Sequence, residues 1–412
     1  ALSMAALGAT PAEGLKHHIQ NSTLDLSRAV ELRNMTIELG GGVFDVDQGV
    51  LVPGSPISGR VMEVVFIGKA LFHLTPPDEV EAQQVELFTQ QTTLYAGIEE
   101  AVFVVGNASI MDRLLHRSPA TLDSAAQARA RELFDGWIRG PERRVFGADA
   151  AIWRAVSADP LYQEYFASEF RSVELGRFCL VLDPSESEQL MVGRFVPLEL
   201  DDREKRLSGR DLRMAQKRGR ALLWRLEDYG DWDTWMRMSL RDEGGQPTPG
   251  STNFEPKHYD LEVSLDPKAL TMEGKATLQL VAVREGSRAV ALDLFPDLVP
   301  SSIRDGAGHE LAWYRSGGDL HVMLANPVSK NESTTLEVNY RGVIFNDGGG
   351  DAFSLRDTGG WYPHAGAIDR ATYKLTLRWP KKYELMASGK VVESRLDNKE
   401  QIETRVLEVP AT

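Results

Sequence analysis

Apolar and polar residues alternate in short runs from Met35 onward. The runs are Met35-Thr-Ile-Glu-Leu, Val43-Phe-Asp-Val, Gly49-Val-Leu-Val, Arg60-Val-Met-Glu-Val-Val-Phe-Ile and Ala70-Leu-Phe-His-Leu. Period two marks half-buried strands, and Gly, Pro and Asp separate the runs as turn formers do. Leu87-Phe-Thr to Leu94-Tyr and Glu100-Ala-Val-Phe-Val-Val continue the pattern. Residues 35–110 are therefore predicted to form a mostly antiparallel β unit. Residues 15–35 read as a short helix or an extended lead-in.

The period then changes. Thr121 to Ile138 is rich in helix formers, with Thr121 or Asp123 placed to cap a helix. Asp149 to Ser157 and Pro160 to Phe170 suggest shorter helices. Gly176 to Asp183 and Glu188 to Phe195 return to strand, and Asp201 to Trp224 reads as a helix of mixed charge. Arg241-Asp-Glu-Gly-Gly-Gln-Pro-Thr-Pro-Gly-Ser-Thr-Asn is the clearest linker. Beyond it lie His258 to Leu265, Ala276 to Val283, Ala289 to Leu294, Leu320 to Leu324 and Thr335 to Tyr340. All of them keep period two. Strands at this spacing without long helices predict a sandwich. The expected architecture is an α+β domain over residues 1–245, followed by an antiparallel, saddle-like β-sandwich over 255–412, β-rich overall.

Composition narrows the function. At about 150 residues per domain, 412 residues suggest two or three domains. No run approaches the ~18 apolar residues of a membrane span. Sixty acidic against 46 basic residues leave a net charge of −14, which argues against a nucleic-acid partner. A single cysteine, Cys179, excludes an internal disulfide and a zinc site built from cysteines. Ala1 to Thr10 is small and apolar but lacks a basic n-region, so it reads as a disordered terminus rather than an intact signal peptide. Taken instead as the remnant of a trimmed leader, it favours a periplasmic or secreted location over a cytoplasmic one.

One series of segments carries a family resemblance. It runs through Pro256-Lys-His-Tyr-Asp-Leu-Glu-Val-Ser-Leu-Asp-Pro, Met272-Glu-Gly-Lys-Ala-Thr-Leu-Gln-Leu, Ala291-Leu-Asp-Leu and Val322-Met-Leu-Ala-Asn-Pro-Val. It continues with Leu336-Glu-Val-Asn-Tyr-Arg-Gly, Gly360-Trp-Tyr-Pro-His, Ala371-Thr-Tyr-Lys-Leu-Thr-Leu-Arg-Trp-Pro and Met386-Ala-Ser-Gly-Lys. In this order the segments resemble the amino-terminal β-domain of the aminopeptidase N family of zinc metallopeptidases. Residues 1–250 resemble the amino-terminal extension of some bacterial members. In the segments themselves, Asp266-Pro267 and Gly274 read as hairpin punctuation, and Trp361-Tyr-Pro as a cover for a sheet end.

The resemblance implies a non-catalytic region that scaffolds or caps a zinc domain of the same polypeptide, with a peptide as the parent's substrate. Neither the family's Gly-x-Met-Glu-Asn strand nor its His-Glu-x-x-His helix occurs here, and the chain ends about where the family's catalytic domain would begin. No cofactor is expected in this chain, zinc belongs to the absent domain, and the chain alone is expected to be inactive. The family's pocket residue from this domain is a Gln or Glu before the aromatic-Pro motif. Asp351 stands near that position as a candidate substitute. The interface with a catalytic domain is expected at Phe353, Trp361, Tyr362, Pro363 and His364, as an exposed apolar face. A stand-alone β-rich binding module is the alternative, and a self-contained hydrolase has no nucleophile–base spacing to support it.

Other groupings have plainer readings. His309-Glu-Leu-Ala-Trp carries Trp313 where a zinc helix needs its second histidine. Asp45-Val-Asp-Gln-Gly lacks the ligands of a calcium loop and reads as a hairpin turn. Asp228, Asp231 and Asp233 read as a solvated acidic turn among packed indoles, and His17-His18 as a mobile pair near the terminus. Gly348-Gly-Gly-Asp is no phosphate loop, because no helix is predicted after it. Arg203 to Arg220, with acids interleaved, reads as a solvated helix face.

Overall fold

The computed structural model describes residues 11–39, 41–157, 159–197, 230–242, 246, 248, 250–349, 352–356, 359–365 and 370–411. The chain divides into two compact units, one reaching Ser251 and the other starting at Thr252.

The first unit opens with helix α1 (Pro11–Gln20) and strands β1 (Val30–Leu39), β2 (Gly42–Pro53) and β3 (Glu63–Leu74). Helix α2 (Glu79–Thr89), strand β4 (Leu94–Val105) and helices α3 (Ala108–Leu115), α4 (Ser124–Arg139), α5 (Pro141–Val145) and α6 (Ala148–Ala155) follow. The unit closes with β5 (Phe166–Ser172), β6 (Gly176–Leu182), β7 (Leu190–Pro197) and β8 (Gly230–Met238). The eight strands form one antiparallel meander in chain order.

Alternation sends two kinds of side chain to the two faces. One face holds Phe44, Phe66, Phe72, Phe103, Phe166, Phe170, Phe178 and Trp235 in a continuous aromatic core, with α2 and α3 adding Val85, Met111 and Leu114. Ring pairs such as Phe72–Phe170, 4.7 Å apart, tie strands that are distant in sequence. Gly49 and Gly68 face each other across β2 and β3; a side chain on Gly49 would run into the Phe66 ring, and one on Gly68 into the Gln48 carbonyl and the Gly49 backbone. That close approach accounts for two glycines inside strands.

The other face carries charge. Glu63, Glu169 and Arg177 project from β3, β5 and β6, and α5 adds Glu142 and Arg143. The Arg177 guanidinium bridges Glu142 at 2.9 Å and Glu169 at 2.7 Å, two carboxylates that are 2% and 1% exposed. Burial raises the Glu142 carboxyl above its ordinary range, and Arg177 only partly offsets this. A raised folded-state pKa means that the stabilising contribution is complete below the unfolded carboxyl range and is lost as pH rises through the folded value. Glu142→Gln should therefore be at least as stable as the native chain at neutral pH. Below about pH 4, where the native carboxyl is also neutral, that advantage should vanish. Urea midpoints at the two pH values test this, and an E142Q chain that is clearly weaker at neutral pH only would contradict it.

The second unit contains β9 (Phe254–Asp266), β10 (Thr271–Ala282), β11 (Ser287–Asp293), β12 (Leu298–Asp305), β13 (Ala312–Ser316) and β14 (Asp319–Val328). It continues with β15 (Ser333–Val343), β16 (Phe345–Asp347), β17 (Phe353–Leu355), β18 (Ala371–Pro380), β19 (Lys390–Asp397) and β20 (Glu400–Ala411). Seven strands form a sheet in the order β12-β15-β10-β9-β18-β20-β19. Strands β11-β14-β13 form a second sheet, and β16-β17 a small ribbon. Leu261, Leu278, Leu336 and Leu377 of the large sheet share one core with Leu292 and Val322 of the small one. This is a sandwich, as predicted, but the large sheet is mixed: β18 runs parallel to β9. The crossover that a parallel pair needs is supplied by the chain between β9 and β18, which builds the rest of the sandwich.

Several local expectations are corrected. Residues 87–89 belong to helix α2, not to a strand; Asp78 accepts hydrogen bonds from the amides of Val80 and Glu81 and starts that helix. Pro160 to Phe170 is a short 3-10 turn over Leu161–Glu164 leading into β5. Its β-branch-poor sequence looked helical, but strand pairing with β4 and β6 decided it. Asp45 lies within β2, where it accepts a hydrogen bond from Thr36, so the proposed turn is a strand. Asp233 sits in β8 and pairs with Arg194 at 2.8 Å rather than in a turn. Gly274 lies inside β10 opposite Tyr340, so it punctuates no hairpin. Asp228 and the helix expected over 201–224 fall outside the described residues.

Candidate functional site

Of the residues singled out before β18, the segment 360–364 gathers into one cluster. Segment 360–364 is stitched to the end of β11. The Asp293 amide donates to the His364 carbonyl at 2.7 Å, the His364 amide to the Asp293 carbonyl at 3.0 Å, and the Phe295 amide to the Gly360 carbonyl at 2.7 Å. These bonds hold Trp361 and Tyr362 against the large sheet. Tyr362 meets Tyr259 of β9 edge-on with centroids 5.5 Å apart, and Tyr373 of β18 stacks on Tyr259 at 5.1 Å. Trp361 packs on Tyr362 at 4.8 Å, and the His364 ring lies 5.7 Å from the Tyr362 ring on another side. The Tyr259 hydroxyl accepts from the Ala365 amide at 3.0 Å.

Trp361, Tyr362, His364 and Phe353 are half-buried, and Pro363 is buried. The aromatic corner is thus half-buried rather than a fully exposed apolar face. Phe353 stands apart from the tyrosines and packs edge-on against Tyr383 at 5.5 Å. Asp351 lies outside the described residues.

A cleft of about 250 Å³ opens beside the corner, lined by Asp293, Phe295, Pro296, Gly318, Gly360 and His364. The Tyr362 and Tyr373 hydroxyls lie 3.1 Å apart. Burial, and then the bond to Tyr373, raise the Tyr362 phenol far above its ordinary range, so it stays protonated at neutral pH. The corner therefore offers an aromatic wall and neutral hydroxyls, suited to packing and recognition rather than to proton abstraction. Among the described residues no group of three or more His, Cys, Asp and Glu is placed to hold a metal ion. His309 lies between β12 and β13, its ring 3.1 Å from Asp305, in a turn. His17 and His18 sit on α1.

Sequence reasoning passed over Tyr259 and Tyr373 as packing residues. Their signal was present: each occupies the same alternate position as the apolar residues that follow it, Leu261 and Val263 or Leu375 and Leu377. The contribution of Asp293 and Phe295 had no local signal, because the bridge to residues 360–364 spans some seventy positions.

No family model matches the sequence, and no curated protein matches it. Among solved structures, an M1 zinc metallopeptidase from Deinococcus radiodurans is similar at 22% identity, over 40% of this chain and 41% of that one, with a TM-score of 0.34. Aminopeptidase A from Legionella pneumophila, in complex with aspartic acid, is similar at 20% identity over 39% and 20%, with a TM-score of 0.33. Yeast LTA4 hydrolase is similar at 20% identity over 38% and 27%, with a TM-score of 0.32. This chain spans less than half the length of each of these proteins. No helix among the described residues is long and apolar enough to cross a membrane.

Proposed function

We propose that residues 252–412 are the amino-terminal β-domain of an aminopeptidase-N-like zinc metallopeptidase, and that they scaffold or cap a catalytic zinc domain of the same polypeptide. The observation that carries this reading is the aromatic corner. Tyr259, Tyr362 and Tyr373 come from three separate segments of the series that resembles the family, and they converge in one cluster. A half-covered aromatic surface beside a cleft suits a second domain, which would complete its burial. On this reading residues 1–251 are an extension with its own core, and a peptide is the substrate of the parent protein.

The test compares two chains. Residues 1–412 alone are expected to retain no stoichiometric zinc after dialysis and to cleave no chromogenic amino-acid amide. Among the described residues no cluster of metal ligands is placed to supply a metal-activated water for attack on the amide. The parent polypeptide, read from its full gene, is expected to contain His-Glu-x-x-His and to show turnover that a chelator abolishes. One tightly held zinc on residues 1–412, or a parent without that motif, would overturn the reading, and the latter would favour the stand-alone binding module.

A further inference from the structure

Strand β19 departs from the rest of the second unit. It is the last strand of the seven-stranded sheet, paired with β20 on one side only among the described residues. Residues 390–396 are all exposed, and no β19 residue belongs to the sandwich core. Val392 and Leu396 are 54% and 50% exposed. Glu393 and Arg395 form only a loose pair with each other, 3.5 Å apart and more than half exposed. An ordered strand that buries none of its own side chains presents a row of free backbone groups, and charges on such an edge ordinarily repel a second strand.

Here the charges have the opposite effect for one particular partner. Place a second copy of β19 antiparallel to the first, about a two-fold axis through Ser394. Glu393 then faces the second copy's Arg395, and Arg395 faces the second copy's Glu393. On the other face Leu396 keeps the alternation, whereas Val392 sits at the bulge that β19 carries between Val391 and Glu393, so the two charge pairs set the register. Opposite charges placed directly across from one another stabilise antiparallel strands. A two-fold contact requires this kind of self-complementarity. A slip by one residue sets Glu393 against Ser394 and loses both charge pairs.

We propose that β19 is a homotypic docking edge, through which two copies of this chain join their seven-stranded sheets in the register centred on Ser394. Sedimentation velocity on the full 412-residue chain, up to about 100 µM, covers the range where a small interface assembles. The native chain is expected to form dimers. Glu393→Arg and Arg395→Glu should each weaken the dimer at least about tenfold, because like charges then face each other twice. An equimolar mixture of the two variants should restore it, since each Arg again meets a Glu. That rescue separates the proposal from a folding defect. A native chain that stays monomeric, a dimer that neither reversal weakens, or a mixture that stays monomeric would each overturn it.

Discussion

Arg143→Met is expected to lower the stability of the first unit by about 3–5 kcal/mol, the usual cost of stripping one partner from a buried ion pair. Arg143 is 2% exposed and Glu63 1%. The guanidinium contacts the Glu63 carboxylate, reaches Asp149 at 2.6 Å, and donates to the Ile19 carbonyl at 3.2 Å. Trp137 donates its indole N–H to the same Glu63 oxygen at 3.2 Å. One side chain therefore links α1, β3, α5 and α6. Without it, the Glu63 carboxyl group stays buried with the Trp137 indole N–H as its remaining donor among the described contacts. The double variant Glu63→Leu with Arg143→Met should recover much of the loss, because an apolar pair of similar volume removes the stranded charge. Urea unfolding followed by tryptophan fluorescence measures both. A single variant within about 1 kcal/mol of the native chain would show that water reaches this layer.

The second large effect is expected at Gly274. It sits on the core face of β10, directly opposite Tyr340 of β15. A methyl group built at Gly274 would come within 2.6 Å of the Tyr340 hydroxyl oxygen and closer still to its ring. Tyr340 is 1% exposed among packed neighbours, so it has little room to retreat. Gly274→Ala should cost about 1–3 kcal/mol, and Gly274→Val more, as overpacked cores do. The tyrosine fills the space that the glycine leaves, so the two positions should couple: in the background Tyr340→Ala, Gly274→Ala should cost far less. Tyr340→Phe should be neutral or stabilising, because the buried hydroxyl has no hydrogen-bond partner among the described residues. A double-mutant cycle by thermal unfolding reads all of these. Independent effects at the two sites would mean that the contact is relaxed in solution.

These two sites show how much the sequence disclosed. Period-two alternation is a local property, and it placed most strands of both units, including β9, β10 and β15, within a few residues. It also indicated the inward faces, because apolar residues at every second position must be covered. Where local signals competed, the reading failed. Leu87-Phe88 looked like strand because both are large and apolar, yet they lie on α2, and neither is buried there. Nothing local marks Glu63 within its strand run, and only the helix layer above it buries its carboxyl group.

The sequence by itself determined the β-rich class, most of the strands and the aromatic-rich segment before β18. Alternation, turn residues and composition act over a few neighbours and need no partner to be read. The tertiary structure alone decided the parallel placement of β18 beside β9, the pairing of Gly274 with Tyr340, and the burial of the Glu63–Arg143 pair. It also brought Tyr259, Tyr362 and Tyr373 together. Each of these joins residues between about 65 and 115 positions apart, or strands whose order in the sheet differs from their order in the chain. Such contacts depend on which surfaces remain to be covered once the sheets exist, and no local pattern encodes that.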